Sequence, residues 1–221
     1  RRWLSVPEIF IYSSNIGAVK MALDVGIDAQ RAFLDRLGLL SPSPVELTEV
    51  GAPLVPGRWR RVNAMTISFG HGLSVSPLQL VSGVSAMVNG GVLYTPTLVK
   101  HQTGQVPAGK RVISARTSER MRRLLRLVVT KGTGRKAAAA GYLVGGKTGT
   151  AEKVRGRRYK SKALISSFIA AFPMHAPRYV VFAMLDEPTG TKKTHGFATG
   201  GWVAAPVVGG IVRRIGPLLK V

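Results

Sequence analysis

The second half of this sequence contains three segments with strand-like composition, and their spacing constrains the fold more than any other feature. The segments Tyr142–Lys153, Ser166–Pro173 and Arg178–Leu185 are separated by turn-forming or charged residues. After its first residue the third segment is continuously apolar, which is typical of a strand buried on both faces. Only the short stretch Met174–Pro177 separates the last two segments, so we expect an antiparallel hairpin there.

Helical patterns precede and follow these strands. Apolar residues recur at helical spacing over Val6–Asp24, but the polar run Ser13–Gly17 in its middle predicts a break between two helices. The proline-containing stretch Leu39–Arg61 is expected to be a loop. Further helices are predicted over Asp28–Leu37, from Pro77 to about Gly90, from Ser114 to about Thr130 and over Gly201–Ile215.

Start signals and element order indicate the fold class. Asp28 is expected to be an N-cap, and Ser76, Pro77 and Gln79 have the spacing of an N-cap, a first-turn proline and a capping-box residue. Helices followed by antiparallel strands and a final helix indicate an α+β fold, with an antiparallel sheet flanked by helices. We expect a mainly helical part over about residues 1–140, and the sheet with the C-terminal helix over about 141–216.

Composition limits the chemistry but does not name a partner. The chain has 221 residues, of which 45% are hydrophobic, so it can form a packed core. The absence of cysteine excludes disulfides, thiolate catalysis and cysteine-ligated metal sites. The formal net charge of +22 favours polyanionic neighbours, such as nucleic acid, anionic lipid headgroups or an acidic cell-wall polymer. A solvated, arginine-rich surface explains the same charge.

The segment around Lys147 matches two unrelated motifs, of which the first is a phosphate loop. Gly141–Thr148 fits the pattern G-x-x-x-x-G-K-T, and Val180–Glu187 resembles an apolar strand ending in acidic residues that could hold Mg²⁺. A phosphate loop, however, follows a buried strand and opens a helix. Here the helix-like stretch Lys136–Ala140 precedes the loop and Gly149 follows it, so the context argues against nucleotide binding.

The second motif is the K-T-G element of serine transpeptidases and β-lactamases, which Lys147–Gly149 matches. Ser13–Asn15 supplies an S-x-N element upstream, in the expected order. Ser68–Leu80 and Gly200–Pro206 resemble an internal run and the C-terminal helix start of class B penicillin-binding proteins. Over residues 1–221 the chain therefore resembles the C-terminal portion of a class B penicillin-binding protein transpeptidase domain, most of all the septal, cell-division D,D-transpeptidases.

The resemblance implies a β-lactamase/transpeptidase-like fold and a serine acyl-transfer reaction on peptidoglycan. It implies that Ser13 passes a proton to the leaving nitrogen and that Asn15 hydrogen-bonds the peptide group of the substrate. It also implies that Lys147 remains cationic and favours binding of the substrate carboxylate. From the residues alone, Ser13 and Asn15 could equally be helix caps, and Lys147 a surface lysine at the end of a strand.

The residues after Lys147 are implied to bind substrate. The hydroxyls of Thr148 and Thr150 would contact the same carboxylate, and the backbone N–H of Thr150 would supply half of the oxyanion hole. Gly149 would let the ligand approach the strand backbone, which a side chain would block. A β-bulge explains a glycine at this position equally well.

The S-x-x-K motif of the family is absent, because no lysine in the sequence has a serine three positions before it. In the family this motif carries the nucleophilic serine and the general-base lysine, and it lies upstream of S-x-N. We therefore expect both groups to precede Arg1. We also expect the 221-residue chain to be inactive by itself.

The resemblance also implies ligands, partners and location. The ligands would be peptidoglycan stem peptides ending in D-Ala-D-Ala and β-lactam antibiotics, with no cofactor, no metal and no nucleic acid. A septal glycan polymerase and other divisome proteins would be partners of the full-length protein. This chain would be a periplasmic domain of that protein, whose inner-membrane anchor would lie outside the chain. The basic stretch Lys153–Lys162 is expected to be a loop that faces solvent or contacts glycan, stem-peptide carboxylates or a divisome protein.

Other functional classes share some of these features. A β-lactamase or a β-lactam-sensing receptor would carry the same motifs, although class A β-lactamases usually show Ser-Asp-Asn where this chain has Ser14 in the middle. A basic nucleic-acid-binding domain would show salt-sensitive DNA binding. The sequence lacks the basic motifs interleaved with aromatic residues that favour that function.

Overall fold

The structure is a computed structural model that describes residues 3–102, 104, 107–155 and 158–221, with their side chains except those in the range 154–162. The elements are, in chain order, α1 (Val6–Tyr12), α2 (Asn15–Val25), α3 (Ile27–Arg36), α4 (Arg61–Ile67), α5 (Pro77–Val88), β1 (Val92–Tyr94), β2 (Gly109–Arg111), α6 (Ala115–Lys131), β3 (Gly145–Arg155), β4 (Arg158–Phe172), β5 (Tyr179–Asp186) and α7 (Gly200–Ile215). Short 3-10 turns lie at Arg135–Ala137 and Lys192–Thr194.

The chain divides into two units, with one boundary between Ser13 and Ser14 and the other within α6. One unit, called the sheet unit, comprises Arg1–Ser13 and Arg122–Val221. The other, called the helical unit, comprises Ser14–Met121. Although α1 lies in the part of the sequence predicted to be mainly helical, it is grouped with the sheet.

The sheet unit is built on β3, β4 and β5, which pair antiparallel in that order with β4 in the centre. Side chains alternate between the two faces of a strand. Phe168 and Phe172 therefore point to one face of β4, while Ile169 and Ala171 point to the other, and all four are buried. The central strand is thus covered on both faces.

The helix α7 packs against this sheet with its buried face. Its buried residues recur mostly at positions three or four apart, which is the spacing of one helix face. They are Gly200, Ala204, Ala205, Val208, Gly209 and Val212. A Cβ atom added to Gly209 would lie 3.1 Å from the carbonyl oxygen of Ala137, so the small residue lets the 3-10 turn before β3 pack directly on α7.

The helical unit contains α2 to α5 and the β1–β2 pair. Gln79, in the first turn of α5, is buried, and its amide donates hydrogen bonds to the carbonyl oxygens of Gly38 (3.0 Å) and Ser41 (2.7 Å). These bonds hold α5 against the chain that follows α3. Leu37 and Ala86 belong to a buried hydrophobic cluster of this unit.

The α+β fold and most of the expected helices are confirmed. The polar break separates α1 from α2, where Ser14 is the N-cap and accepts a hydrogen bond from the N–H of Gly17 (3.2 Å). The capping box at Ser76 is also present. The N-cap prediction for Asp28 is wrong, because Gly26 is the N-cap of α3 and Asp28 lies in its first turn. There the carboxylate is favoured by the helix dipole.

Two predictions about strands are wrong, although the antiparallel pairing of β4 with β5 is confirmed. The strand covered on both faces is β4, whereas β5 is an edge strand with half-buried or exposed side chains. The stretch Lys153–Lys162 is not a simple loop, because β3 continues to Arg155 and pairs there with Arg158 of β4. Ladder hydrogen bonds use backbone groups, so basic side chains do not prevent them.

Among the described residues, no helix combines the length and the apolar character needed to cross a bilayer.

Candidate active site

The candidate site is organised around Lys147, near the start of β3. Residues Gly145–Thr150 pair in register with Ser166–Ala171 of β4. A Cβ atom at Gly146 would lie 2.7 Å from the ring of buried Phe168, so only glycine allows the two strands and the core to pack this closely. The backbone of Lys147 is therefore fixed by the ladder and by the core beneath it.

The end of α1 brings Ser13 to Lys147. Ser13 terminates the helix in the left-handed conformation, with φ of 55°. A Cβ atom at Gly132 would lie 2.6 Å from the carbonyl oxygen of Ile11, so glycine allows α1 to approach the end of α6 closely. In this position the Oγ of Ser13 accepts a hydrogen bond from the Nζ of Lys147.

Burial determines the electrostatics of Lys147. Desolvation lowers the pKa of its ammonium from 10.5 to about 8. The group also donates a hydrogen bond to the carbonyl oxygen of Thr148 (3.2 Å) and lies 5.9 Å from the ring centroid of Phe10. With a pKa near 8 the amine is mostly protonated at neutral pH. It then donates to Ser13, which leaves the hydroxyl hydrogen of Ser13 free for another acceptor.

The three residues after Lys147 follow it along β3. The hydroxyl of Thr148 shares a hydrogen bond with the exposed hydroxyl of Thr133 (2.9 Å). The Oγ1 of Thr150 accepts a hydrogen bond from the N–H of Gly200 (3.0 Å), at the start of α7. Its own hydrogen remains available to a ligand. The register pairs Gly149 with Ser167 without a bulge at this point.

The structure thus brings Ser13 together with Lys147, and it places Thr148, Gly149 and Thr150 on the same strand. Asn15 is the first residue of α2, is exposed, and belongs to the helical unit. The roles of these residues stay predictions.

Three neighbours of the predicted residues were missed by sequence reasoning. Thr133 bonds to Thr148, and Phe10 lies beside Lys147. Buried Ser166 donates a hydrogen bond to the carbonyl oxygen of Ala198 (2.5 Å), which attaches the segment before α7 to the sheet. The sequence signal for Thr133 is its position between two glycines, which is typical of a turn but does not indicate a contact with Thr148.

The phosphate-loop interpretation is wrong. Lys147 and Thr148 lie inside a β-strand, and β3 continues where a phosphate loop would open a helix. The acidic pair proposed for Mg²⁺ is also engaged elsewhere. The Nζ of Lys153 contacts Asp186 at 2.8 Å and Glu187 at 3.2 Å.

Similarity to known proteins agrees with this geometry. Residues 2–212 match the family model described as penicillin-binding protein transpeptidase domain. The protein named "Probable peptidoglycan D,D-transpeptidase FtsI" from Caulobacter vibrioides is 43% identical over 227 aligned residues, which cover 99% of this chain and 38% of that protein. The chain therefore spans less than half the length of this relative.

Solved structures show the same fold. The transpeptidase domain of penicillin-binding protein 3 from Burkholderia pseudomallei is similar with a TM-score of 0.88 and 37% identity, covering 97% of this chain and 65% of that one. Penicillin-binding protein 3 from Mycobacterium tuberculosis, solved with ampicillin, is similar with a TM-score of 0.87 and 28% identity, covering 98% and 51%. This chain belongs to the family of class B penicillin-binding protein transpeptidase domains.

Proposed function

We propose that the full-length protein is a peptidoglycan D,D-transpeptidase that works through a serine acyl-enzyme and binds β-lactams. The hydrogen bond between Lys147 and Ser13 carries this proposal, because it joins the lysine of the K-T-G element to the serine of the S-x-N element, and both residues lie in the sheet unit. Membership of the family supports it, as does the ampicillin complex of a similar protein.

In the proposed reaction, Ser13 delivers a proton to the leaving nitrogen. A nucleophilic serine attacks the carbonyl of the D-Ala-D-Ala bond, and its proton passes through the base lysine and Ser13 to that nitrogen. The C–N bond then breaks, D-alanine leaves as the free amine, and the acyl group remains on the serine. The orientation of Ser13 suits this step, because protonated Lys147 leaves the Ser13 hydroxyl hydrogen free.

The remaining residues are proposed to anchor the substrate. The positive charge of Lys147 and the hydroxyls of Thr148 and Thr150 would hold the terminal carboxylate, while the amide of Asn15 would bind the peptide group. Gly149 would allow the ligand to lie along β3. Gly149 pairs with Ser167 in the β3–β4 ladder, which keeps this part of β3 extended.

The nucleophile is proposed to lie outside these residues. No S-x-x-K occurs in the 221-residue sequence, and the chain covers 38% of the length of its FtsI relative. Acylation by a fluorescent penicillin tests this directly. The longer protein that contains an upstream S-x-x-K should form a covalent adduct, whereas the 221-residue chain should not. A labelled serine within residues 1–221 would contradict the assignment.

A septal role, with a glycan polymerase and other divisome proteins as partners, is proposed from the similarity to FtsI. The same similarity supports a periplasmic domain of a protein anchored in the inner membrane. The rate of deacylation separates this proposal from the β-lactamase alternative. A transpeptidase releases hydrolysed penicillin slowly, whereas a β-lactamase turns it over rapidly.

A further inference from the structure

We propose that an exposed basic strip beside the candidate site binds a carboxylate-bearing polymer, and that this polymer is the stem-peptide-bearing strand of the substrate. The identity of the polymer rests on the proposed function. The strip lies entirely in the sheet unit, and all its members are exposed. They are Lys131, Arg135, Lys136, Arg213 and Arg214.

The members of the strip are held together by packing of the 3-10 turn on α7. A Cβ atom at Gly209 would lie 3.1 Å from the carbonyl oxygen of Lys136. Near the end of α7, the guanidinium of Arg213 donates a hydrogen bond to the carbonyl oxygen of Ala138 (3.3 Å). At the start of α7, the Nζ of Lys136 lies 4.0 Å from the ring centroid of Trp202. From Trp202 to Arg213 the helix rises about 16 Å.

Two of the cations are ordered before any ligand binds. Lys136 contacts the ring of Trp202, and the ring of Phe197 stacks on the same tryptophan with centroids 5.3 Å apart. The guanidinium of Arg135 donates a hydrogen bond to the carbonyl oxygen of Lys131 (3.1 Å). Side chains that are already placed lose less conformational freedom on binding, which favours affinity.

The charge of the strip is not neutralised within the described part of the chain. Residues 122–151 and 188–221 contain no Asp or Glu. Of the acidic residues between these ranges, Asp186 and Glu187 both contact Lys153. In the described structure, no carboxylate is paired with a strip residue. Several exposed cations with no paired carboxylate are complementary to a polymer with repeated anionic groups.

Two residues beside the strip lie close to Thr148, one of the residues proposed to anchor the substrate carboxylate. Thr133, which lies between Lys131 and Arg135 in sequence, shares a hydrogen bond with Thr148 (2.9 Å). A Cβ atom on Gly201, the residue before Trp202, would lie 3.5 Å from the Cγ2 of Thr148. A polymer with one stem peptide on β3 would therefore place neighbouring carboxylates along the strip, which favours this polymer over a lipid surface.

Fluorescence anisotropy with labelled, uncrosslinked glycan strands that carry stem peptides tests the inference on the 221-residue chain. The triple substitution Arg135→Gln, Lys136→Gln and Arg213→Gln should weaken binding about tenfold at low salt, because each exposed charge pair contributes a modest amount. The charge-preserving triple Arg135→Lys, Lys136→Arg and Arg213→Lys should keep most of the affinity. All three positions are exposed, so both variants should fold.

A matched control removes the same charge elsewhere. The triple Lys20→Gln, Arg58→Gln and Lys100→Gln changes exposed residues of the helical unit. It should change binding less than twofold if the strip is the site, because a dispersed surface charge contributes little to the binding free energy. An equal loss in both glutamine variants would show that only net charge matters and would overturn the inference.

Two further ligands give decisive outcomes. Strands whose carboxylates have been amidated should bind weakly, and binding as tight as that of the native strands would overturn the inference. Vesicles of anionic phospholipid that bind more tightly than the strands would also overturn it, in favour of a membrane surface. Failure of penicillin labelling in the longer protein would remove the proposed function but leave the strip as a polycarboxylate site.

Discussion

The Nζ of Lys147 donates a hydrogen bond to the Oγ of Ser13 across 134 positions of the sequence. Both acceptors of this ammonium, Ser13 and the carbonyl of Thr148, are neutral. Because neither acceptor carries a charge, the desolvation of Lys147 is only partly offset, and its pKa falls to about 8. The contact therefore maintains a positive charge where burial disfavours it, which is expected of a site that binds an anion.

Replacing Lys147 with methionine should stabilise the chain at pH 7. A pKa lowered from 10.5 to about 8 corresponds to a cost of up to about 3 kcal/mol for the protonated form. Methionine keeps much of the side-chain volume without the charge, and the lost hydrogen bonds reduce the gain to about 1–2 kcal/mol. Urea unfolding at pH 7 measures the difference.

The stabilisation produced by Lys147→Met should become smaller as pH rises. Between pH 8 and 10.5 the unfolded chain binds more protons at Lys147 than the folded chain does, so the stability of the unsubstituted protein increases through this window. Below pH 8 the cost is fully present, and above 10.5 it is absent. Lys193→Met, at an exposed position, is the matched control for loss of a lysine charge. A Lys147→Met variant less stable than the unsubstituted chain at pH 7 would contradict the interpretation.

Substitutions at Ser13 should separate its backbone role from its hydroxyl role. Ser13→Ala leaves the ammonium of Lys147 without one acceptor and should cost about 1–2 kcal/mol of unfolding free energy. Ser13→Gly loses the same hydroxyl but relieves the left-handed backbone, so it should be about 1 kcal/mol more stable than Ser13→Ala. Both should slow acylation of the longer protein equally. Retained acylation in Ser13→Gly would exclude the relay role.

Thr133→Val should impair the candidate site without disturbing the fold. Valine has a similar shape but cannot hydrogen-bond to Thr148, so we expect about tenfold slower penicillin acylation of the longer protein, equivalent to about 1.4 kcal/mol. Thr130→Val is the matched control, because in the described part of the chain Thr130 bonds within its own helix, to the carbonyl oxygens of Arg126 (3.2 Å) and Leu127 (3.4 Å). Equal effects of the two substitutions would refute a role for Thr133 in positioning Thr148.

Two glycines near the site should differ in their tolerance of alanine. A Cβ at Gly200 would overlap the backbone carbonyl oxygens of Ser167 and Gly149, which cannot move, so Gly200→Ala should cost about 3 kcal/mol or more. A Cβ at Gly149 would meet the Oγ of Ser167 at 2.5 Å, whereas the Cβ of Ser167 is 3.9 Å away. Adding Ser167→Ala should therefore rescue Gly149→Ala, which thermal unfolding of the single and double variants would show. No rescue would mean that the backbone itself opposes the methyl group.

Local patterns were enough for most of the helices. The polar run after α1 and the capping box at Ser76 each depend on contacts between residues a few positions apart, and both are confirmed. The continuous apolar stretch of β5 was misleading because an edge strand can carry the same composition as a central one. Its partner β4 became central only through its pairing with both neighbours.

The sequence by itself determined the fold class, the antiparallel hairpin and the family, because these follow from local periodicity and from motifs with fixed spacing. Only the tertiary structure decided that Lys147 contacts Ser13, that Thr133 bonds to Thr148 and that a basic turn packs on α7. These relationships join residues that are distant along the chain. They arise from close packing at glycines and from the desolvation of a buried charge, which no local pattern records.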